Sequence, residues 1–209
     1  YDDNAKFLDR QSSSLSKSKF KEQLYVAPKE ETALNEFFAS DKRGIVFTGK
    51  SGIGKSNILC HFFLEQRREN KVAVFIDARR LDSPDIKPLL ESDIAQRINP
   101  SWDLNDLDKC LNENKQKMVV FIDAINEHTG DGGPIALLED IVRLVNDVNV
   151  FGNIRVVTSC RSETWTQYKE NVGKGSNVLN QDNFMTHSGD AVQIAGFESE
   201  DARCSLFAT

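Results

Sequence analysis

The sequence predicts an α/β fold in which a doubly wound sheet of five parallel strands is flanked by helices. Three observations support this fold: short apolar runs alternate with helical patterns, each run stops at a glycine or a polar residue, and a glycine-rich loop follows the first run. Near-continuous apolar runs are typical of parallel strands that are covered on both faces. Alternating strands and helices form βαβ units with right-handed crossovers. With 39% hydrophobic residues, the 209-residue chain can build one sizeable core of this kind.

The two ends of the chain are expected to lie outside this core. Residues 9–19 are polar and Ser-rich without apolar periodicity, so residues 1–19 are interpreted as a linker or lead-in. The domain is expected to span residues 20–197, and residues 198–209 to begin a further helix that the chain cuts short. Because the first residue is Tyr1 rather than Met, we expect the chain to be a piece of a longer protein.

Four strands are predicted from strong apolar runs and a fifth from a weaker one. The segment before the first strand is predicted to be extended and then helical. The remaining helices are predicted from apolar residues that recur at helical spacing. The predicted strands are 44–48, 72–77, 118–123, 154–159 and, more weakly, 191–195; the predicted helices are 30–39, 55–68, 86–98, 104–111 and 135–148.

Charge and cysteine usage exclude several classes of protein. The formal net charge is −6 and the basic residues are scattered, whereas nucleic-acid binders hold phosphates mainly with clustered Lys and Arg. The four cysteines, at positions 60, 110, 160 and 204, form no Cys-x-x-Cys pair, so neither a zinc site nor a disulfide framework is indicated. No apolar run approaches the roughly 20 residues that cross a bilayer. We therefore expect a cytoplasmic protein that binds neither nucleic acid nor membranes directly.

The segment GKSGIGKS, residues 49–56, matches the phosphate-loop motif G-x-x-x-x-G-K-[ST] without a mismatch. It directly follows a predicted strand and directly precedes a predicted helix, which is the structural context the motif requires. Glycines let such a loop curl so that its N–H groups point at phosphate oxygens, and the helix N-terminus favours the same anions. The predicted nucleotide-binding residues are Gly49, Lys50, Ser51, Gly52, Ile53, Gly54, Lys55, Ser56 and Asn57.

Within this loop, two side chains have specific predicted roles. Lys55 is expected to reach the β- and γ-phosphates, and Ser56 to offer its hydroxyl to Mg²⁺. The motif therefore predicts that the chain binds Mg²⁺ with ATP or ADP. GTP is less favoured, because the segment after Asp123 lacks the Asp-x-x-Gly of GTPases and no Asn-Lys-x-Asp base reader is present.

Two aspartates compete for the second Mg²⁺-binding position, because both end a predicted strand. Asp123 ends VVFID and Asp77 ends AVFID, and a carboxylate there points at the edge of the sheet where ligands bind. Asp123 is preferred, because Glu127 follows it and could orient or polarise the attacking water. Asn126 is an alternative water-positioning group that cannot act as a base. Asp77 is interpreted as a polar strand end.

Arg161 follows the fourth predicted strand and is a candidate γ-phosphate sensor, because a guanidinium forms bidentate, charge-assisted contacts with phosphate. The alternative is a surface arginine that opens the next helix. Its neighbour Cys160 has no partner that would make it a nucleophile and is interpreted as a small buried thiol.

These motifs resemble the STAND class of signal-transduction NTPases, specifically its NACHT-like members. The residues that carry the resemblance are GKSGIGKS at 49–56, VVFIDAINE at 119–127 and VVTSCR at 156–161. In that family the second motif continues as Asp-[Gly/Ala]-hydrophobic-[Asp/Asn]-Glu, which residues 123–127 match. The fourth strand of the family ends Thr-Ser-Arg, and here Cys160 stands before the arginine. The resemblance covers roughly residues 20–200.

The resemblance implies a regulatory switch rather than a fast enzyme. Family members rest with ADP, exchange it for ATP when they sense a ligand, and self-associate to activate an attached effector. They hold the adenine near the extended segment before the first helix, which corresponds to Tyr25 and Val26. The resemblance also implies the strand order of the additional-strand P-loop ATPases, in which the strand 154–159 lies between 118–123 and 44–48. The effector and sensor domains and nearly all of the helical lid, which would begin near residues 196–202, would be missing from this chain.

Two other functions remain open from the sequence. An AAA+ motor or loader is one, although AAA+ members usually place Glu directly after the aspartate, where this chain has Ala124. A scaffold that binds nucleotide without hydrolysing it is the other. For a protein that hydrolyses ATP, the predicted catalytic set is Glu127, Asp123 and Arg161, with Asp123 acting on Mg²⁺ and Arg161 on phosphate.

Overall fold

The computed structural model describes residues 20–97, 99–147, 152–172 and 179–195. The predicted lead-in at 1–19 and the predicted lid start at 198–209 lie outside the described residues. The same is true of residues 196 and 197 at the end of the expected domain. Ile98 and Val148, the predicted last residues of two helices, are also outside them.

All strand pairings in the central sheet are parallel, and the order is β2-β3-β4-β1-β5, with β6 also pairing with β1. Strand β4 therefore separates β3 from β1, as expected for an additional-strand P-loop ATPase. The strands are β1 Gly44–Gly49, β2 Val72–Asp77, β3 Met118–Asp123, β4 Ile154–Arg161, β5 Phe184–Met185 and β6 Val192–Gln193.

In the part of the chain that the structure describes, six α-helices connect or flank these strands. The helix after the phosphate loop has the bounds expected from the sequence, and four others begin within two residues of their expected positions. The last helix was not predicted, because its segment is too polar to show a clear apolar stripe. The helices are α1 Glu31–Ala39, α2 Lys55–Arg68, α3 Ile86–Arg97, α4 Leu104–Glu113, α5 Gly133–Asn146 and α6 Ser162–Val172.

The sheet divides the apolar interior into two cores, because successive side chains of a strand point to opposite faces. Along β3, Val120 and Ile122 pack into the core that α3, α4, α5 and α6 cover. Val119 and Phe121 pack into the core covered by α1 and α2. Both faces of β3 are buried, which explains why its sequence is continuously apolar.

The expected five-stranded sheet is observed with one correction at its β1 edge. The predicted strand at 191–195 is reduced to Val192–Gln193, and a second two-residue strand, Phe184–Met185, also pairs with β1. These strands pair with opposite ends of β1, so two short segments share the position of one strand. Segments this short have too few residues to show an apolar run, so the sequence cannot delimit them.

Among the described residues, no helix combines the length and the apolar content needed to cross a membrane.

Candidate functional site

The loop between β1 and α2 is curled, as its motif requires. Gly52 has φ 76° and Gly54 has φ 101°, in the left-handed region that favours glycine. Helix α2 begins at Lys55, immediately after Gly54, so its N-terminal amides face the end of β1. The loop forms one wall of a cavity of about 200 Å³, lined by Ser51, Gly52, Ile53, Gly54, Lys55, Ser56, Asn57, Asp123, Ala124, Asn126, Glu127, Ser159 and Arg161.

Lys55 is held by the backbone of its own loop. Its Nζ donates hydrogen bonds to the carbonyl oxygens of Gly49 at 2.8 Å and Lys50 at 2.7 Å. The side chain is buried, and this burial lowers the pKa of the Lys55 ammonium from its ordinary value. The ammonium is therefore located at the base of the loop, while Lys50 is exposed and does not line the cavity.

Asp123 ends β3 inside the cavity wall and is buried, with 7% of its surface exposed. Ser159 of the neighbouring strand β4 donates a hydrogen bond from Oγ to Asp123 Oδ1 at 2.6 Å. One position earlier, Thr158 Oγ1 donates to the carbonyl oxygen of Ile122 at 3.0 Å. These two bonds fix the end of β3 against β4 and set the orientation of the Asp123 carboxylate.

Directly after Asp123 the chain makes a sharp turn that brings Glu127 back to the cavity. Ala124 adopts φ 61° and ψ 34°, a left-handed conformation that costs a non-glycine residue about 1 to 2 kcal/mol. A short 3₁₀ turn, Ile125–Glu127, follows, and both Asn126 and Glu127 line the cavity. Glycine would adopt this backbone without that cost, because it has no Cβ.

Arg161 is at the end of β4 and pairs in register with Gly49, so it lies beside the start of the phosphate loop. It is exposed and lines the cavity. Cys160, before it, is fully buried, and burial raises the pKa of its thiol to about 12. The extra residue at Cys160 therefore does not remove Arg161 from the cavity.

The structure distinguishes Asp77 from Asp123. The two residues pair in register at the ends of β2 and β3, but Asp77 does not line the cavity. Arg79 binds it with two hydrogen bonds, Nε to Oδ1 and Nη2 to Oδ2, each 2.7 Å long. Burial raises the pKa of Asp77, but the hydrogen bonds and charge of Arg79 outweigh it, and the net shift is downward. Asp77 thus has an arginine partner outside the cavity.

Tyr25 and Val26 are not among the residues that line this cavity. Tyr25 stacks on His61 of α2, with ring centroids 4.1 Å apart, and its hydroxyl donates to Glu31 at 3.0 Å. Burial and this hydrogen bond raise the pKa of the Tyr25 hydroxyl. The structure therefore brings Ser51 to Asn57 and Asp123, which were expected to hold phosphate and metal, around one cavity. Gly49 and Lys50 do not line it, and neither do Tyr25 and Val26, which were expected to contact the adenine base.

A second, larger cavity of about 690 Å³ lies between α1 and strands β5 and β6. Glu30 lines it and is 9% exposed; its Oε1 accepts a hydrogen bond from the Ala195 backbone N–H at 3.2 Å. Its Oε2 is buried without a partner among the described residues. The next residue before Ala195, Ile194, donates its backbone N–H to the carbonyl of Thr48 in β1, so this cavity borders the strand that leads into the loop.

The residues at the first cavity fit a magnesium ion bound together with phosphates. Mg²⁺ is usually held by one or two protein oxygens plus phosphate oxygens and water, rather than by a complete protein cage. Ser56 and Asp123 offer a hydroxyl and a carboxylate in one wall. In the described part of the chain, no group of three or more His, Cys, Asp or Glu side chains is placed to hold a metal ion.

Sequence reasoning missed two residues that shape this site. Ser159 was predicted only as the end of a strand. The signal that could have found it is that its strand was expected to lie beside the strand ending at Asp123, so its hydroxyl could reach that carboxylate. No role was predicted for Arg79, because its contacts depend on side-chain geometry that sequence spacing does not specify.

Comparisons with known proteins support the fold. A Walker-type ATPase of Pyrococcus abyssi is similar with a TM-score of 0.52 and 16% identity, over 88% of this chain and 60% of that one. Cdc6p from Pyrobaculum aerophilum is similar with a TM-score of 0.59 and 13% identity, over 93% of this chain and 52% of that one. No protein-family model matches the chain, and no curated protein matches it.

At these identities the similarity concerns the fold, and the chain spans about half to three fifths of the length of these two proteins. This similarity, the strand order and the curled loop together define a P-loop NTPase fold.

Proposed function

We propose that the chain is the ATP-binding, slowly hydrolysing switch module of a STAND, NACHT-like signalling protein. The observation that carries this proposal is the cavity at the carboxyl ends of β1, β3 and β4, which the phosphate loop, Asp123 and Glu127 all line. Ligands of open α/β sheets bind at this edge. Self-association and an attached effector would belong to the full-length protein.

Each residue has a distinct role in this proposal. The loop amides and Lys55 bind the β- and γ-phosphates, and Arg161 contacts the γ-phosphate from the end of β4. Ser56 and Asp123 hold Mg²⁺, which when bound would neutralise the charge that develops on the phosphates. Glu127 orients the water that attacks the γ-phosphate.

The STAND assignment is supported by the turn after Asp123. The family has glycine or alanine at the position of Ala124, and the left-handed backbone there favours the first of these two residues. An AAA+ motor or loader is the second candidate, and it would normally place a carboxylate at the same position. In this chain, Glu127 is the carboxylate that follows Asp123 in the cavity wall.

The adenine is proposed to lie near Tyr25 and Val26, by the same resemblance. The cavity beside Glu30 is the competing location, because it borders the strand leading into the loop. Tyr25→Leu and Glu30→Gln distinguish the two locations. If the adenine lies near Tyr25, Tyr25→Leu is expected to weaken ADP binding and Glu30→Gln is not; if the adenine lies in the cavity beside Glu30, the reverse is expected.

The phosphate-binding part is tested by titrating the protein with a fluorescent ADP analogue in the presence of Mg²⁺. Lys55→Ala is expected to weaken binding about thirtyfold or more, because it removes a charged hydrogen-bond donor of roughly 2 kcal/mol or more from a buried site. Lys50→Ala is the matched control, since Lys50 is in the same loop but is exposed. Equal affinities of the Lys55→Ala and Lys50→Ala variants would refute phosphate binding in this loop.

Hydrolysis is tested separately, with Glu127→Gln. If Glu127 orients the water, the variant binds ATP as tightly as the parent but releases phosphate more slowly by about 10²-fold or more. A parent that binds Mg²⁺-ATP tightly and releases no phosphate under single-turnover conditions would instead support the non-hydrolysing scaffold.

A further inference from the structure

We propose that Arg79 is a positioning residue for Glu127: it holds the Glu127 carboxylate toward β2, away from the phosphate loop, and so slows ATP hydrolysis. This inference rests on the proposed function, in which Glu127 orients the attacking water. It assigns a role to a residue that contacts neither the nucleotide cavity nor the metal position.

The contacts of Arg79 divide its guanidinium between two carboxylates. Nε and Nη2 donate to both oxygens of Asp77 at 2.7 Å, which fixes the plane of the guanidinium. The remaining nitrogen, Nη1, lies 3.8 Å from Glu127 Oε2. Asp77 therefore anchors the arginine, and the arginine presents its third nitrogen to the carboxylate that lines the cavity. A lysine ammonium could not hold this arrangement as well, because it lacks the planar, forked set of donors of a guanidinium.

The sheet order gives the direction of this pull. Glu127 follows β3, and the phosphate loop follows β1, which is separated from β3 by β4. Arg79 follows β2, on the other side of β3. The attraction between Arg79 and Glu127 therefore acts away from the position proposed for the γ-phosphate. Releasing it lets the carboxylate move toward the loop.

The backbone keeps the two residues close together. Arg79 is in the 3₁₀ turn Ala78–Arg80 and Glu127 is in the 3₁₀ turn Ile125–Glu127. Nδ1 of the buried His128 lies 3.3 Å from the Ala78 carbonyl oxygen, and these two turns contact each other. The pair is thus part of a packed junction between two turns.

The effect is expected to be moderate, because both side chains are partly exposed. The side chain of Arg79 is 41% exposed and that of Glu127 is 46% exposed. Ion pairs in such positions are screened by water, so losing one changes an equilibrium about two- to fivefold. The same factor is expected in the single-turnover rate constant when the restraint is removed.

The test is single-turnover hydrolysis of Mg²⁺-ATP by the parent, Arg79→Gln, Glu127→Gln and the double variant, with protein in excess. Arg79→Gln is expected to raise the rate constant about two- to fivefold and to leave the half-saturating protein concentration unchanged. In the Glu127→Gln background the same change is expected to have no effect, because Arg79 acts through Glu127. Arg80→Gln is the matched control, because the neighbouring Arg80 side chain is 71% exposed and contacts Asp77 only at 3.8 Å.

Several outcomes would overturn the inference: an unchanged or lower rate for Arg79→Gln, an equal rise for Arg80→Gln, or the same rise with and without Glu127. A parent that binds ATP but never releases phosphate would also overturn it, since no Glu127-dependent step would exist. Failure of the proposed function is recognised separately, by unchanged nucleotide affinity in Lys55→Ala.

Discussion

Replacing Ser159 by alanine is expected to destabilise the domain through the Asp123 carboxylate. Ser159 Oγ donates to Asp123 Oδ1 at 2.6 Å, and the two residues are 1% and 7% exposed. The substitution leaves a buried carboxylate oxygen without this donor, and water has little access to replace it. Ser159→Ala removes only a hydroxyl group, so the lost hydrogen bond accounts for most of the expected loss of stability.

The expected magnitude follows from the charge of the acceptor. Hydrogen bonds to charged groups contribute about 1.5 to 3 kcal/mol, whereas neutral ones contribute about 1 kcal/mol. We therefore expect Ser159→Ala to lower the free energy of unfolding by about 2 kcal/mol. For a domain of this size, this corresponds to a fall in Tm of roughly 4 to 8 °C.

The assay is urea unfolding at pH 7, followed by the fluorescence of the two tryptophans. Thr158→Val is the matched comparison, because Thr158 Oγ1 donates to a neutral acceptor, the carbonyl oxygen of Ile122, at 3.0 Å. It is expected to cost about 1 kcal/mol. In an Asp123→Ala background, Ser159→Ala is expected to cost at least about 1 kcal/mol less than in the parent.

Equal losses for Ser159→Ala with and without Asp123 would refute this reasoning, because the hydroxyl would then act through other neighbours. A loss for Ser159→Ala no larger than that for Thr158→Val would also contradict the importance given to the charged acceptor.

Three further predictions concern other parts of the domain. Ala124→Gly is expected to raise the free energy of unfolding by up to about 1 kcal/mol, measured by urea unfolding, because glycine relieves the left-handed backbone at φ 61°. Arg155→Met is expected to lower it by about 2 kcal/mol, because Arg155 Nη1 donates at 3.1 Å to the carbonyls of both Phe37 and Phe38 at the end of α1. Asp190→Asn is expected to cost about 1 kcal/mol at pH 7, measured by unfolding at several pH values. Hydrogen bonds from Lys169 and Trp165 outweigh burial and lower the pKa of Asp190, so its contribution is present above the usual value of 3.8 and is lost as the pH falls through the folded-state value.

Each of these predictions has a control in the same molecule. Ala136→Gly, within α5, is expected to lose about 1 kcal/mol, the opposite sign to Ala124→Gly. Arg143→Met is expected to change stability by less than about 0.5 kcal/mol, since that side chain is 74% exposed. For Asp190→Asn, the control is the comparison at a pH below the folded-state pKa of Asp190, where the parent carboxyl is protonated too and the two proteins should differ little in stability. A prediction would be contradicted if its variant changed the stability in the same direction and by the same amount as its control.

Much of the fold could be predicted because the signals are local. Strands β2 and β3 have the bounds that their apolar runs predicted, and α2 begins and ends at the predicted residues. A strand buried on both faces must be apolar throughout, and a helix that follows a phosphate loop begins at its lysine. The two-residue strands β5 and β6 could not be delimited in this way, because their pairing with β1 rather than their own sequence defines them.

The candidate site could be predicted in part for the same reason. The phosphate loop, Asp123 and Glu127 are contained in two contiguous motifs, and the structure places them around one cavity. The choice of Asp123 over Asp77 rested on the residues that follow each one. The two strands themselves are nearly identical and could not distinguish the two aspartates. Their environments differ because Arg79 binds Asp77, which is a contact that the strand sequences do not show.

The sequence by itself determined the parallel α/β architecture, the curled loop and the residue types within that loop, because each depends on a contiguous stretch of chain. Only the tertiary structure decided that Ser159 orients Asp123, that Arg79 pairs with both Asp77 and Glu127, and that Arg161 lies beside Gly49. Those contacts join residues that are distant in the chain, and they exist because β2, β3, β4 and β1 lie side by side with fixed register. The strand order could be expected only through the family resemblance, and the register between strands depends on how the whole sheet packs rather than on one contiguous stretch of the chain.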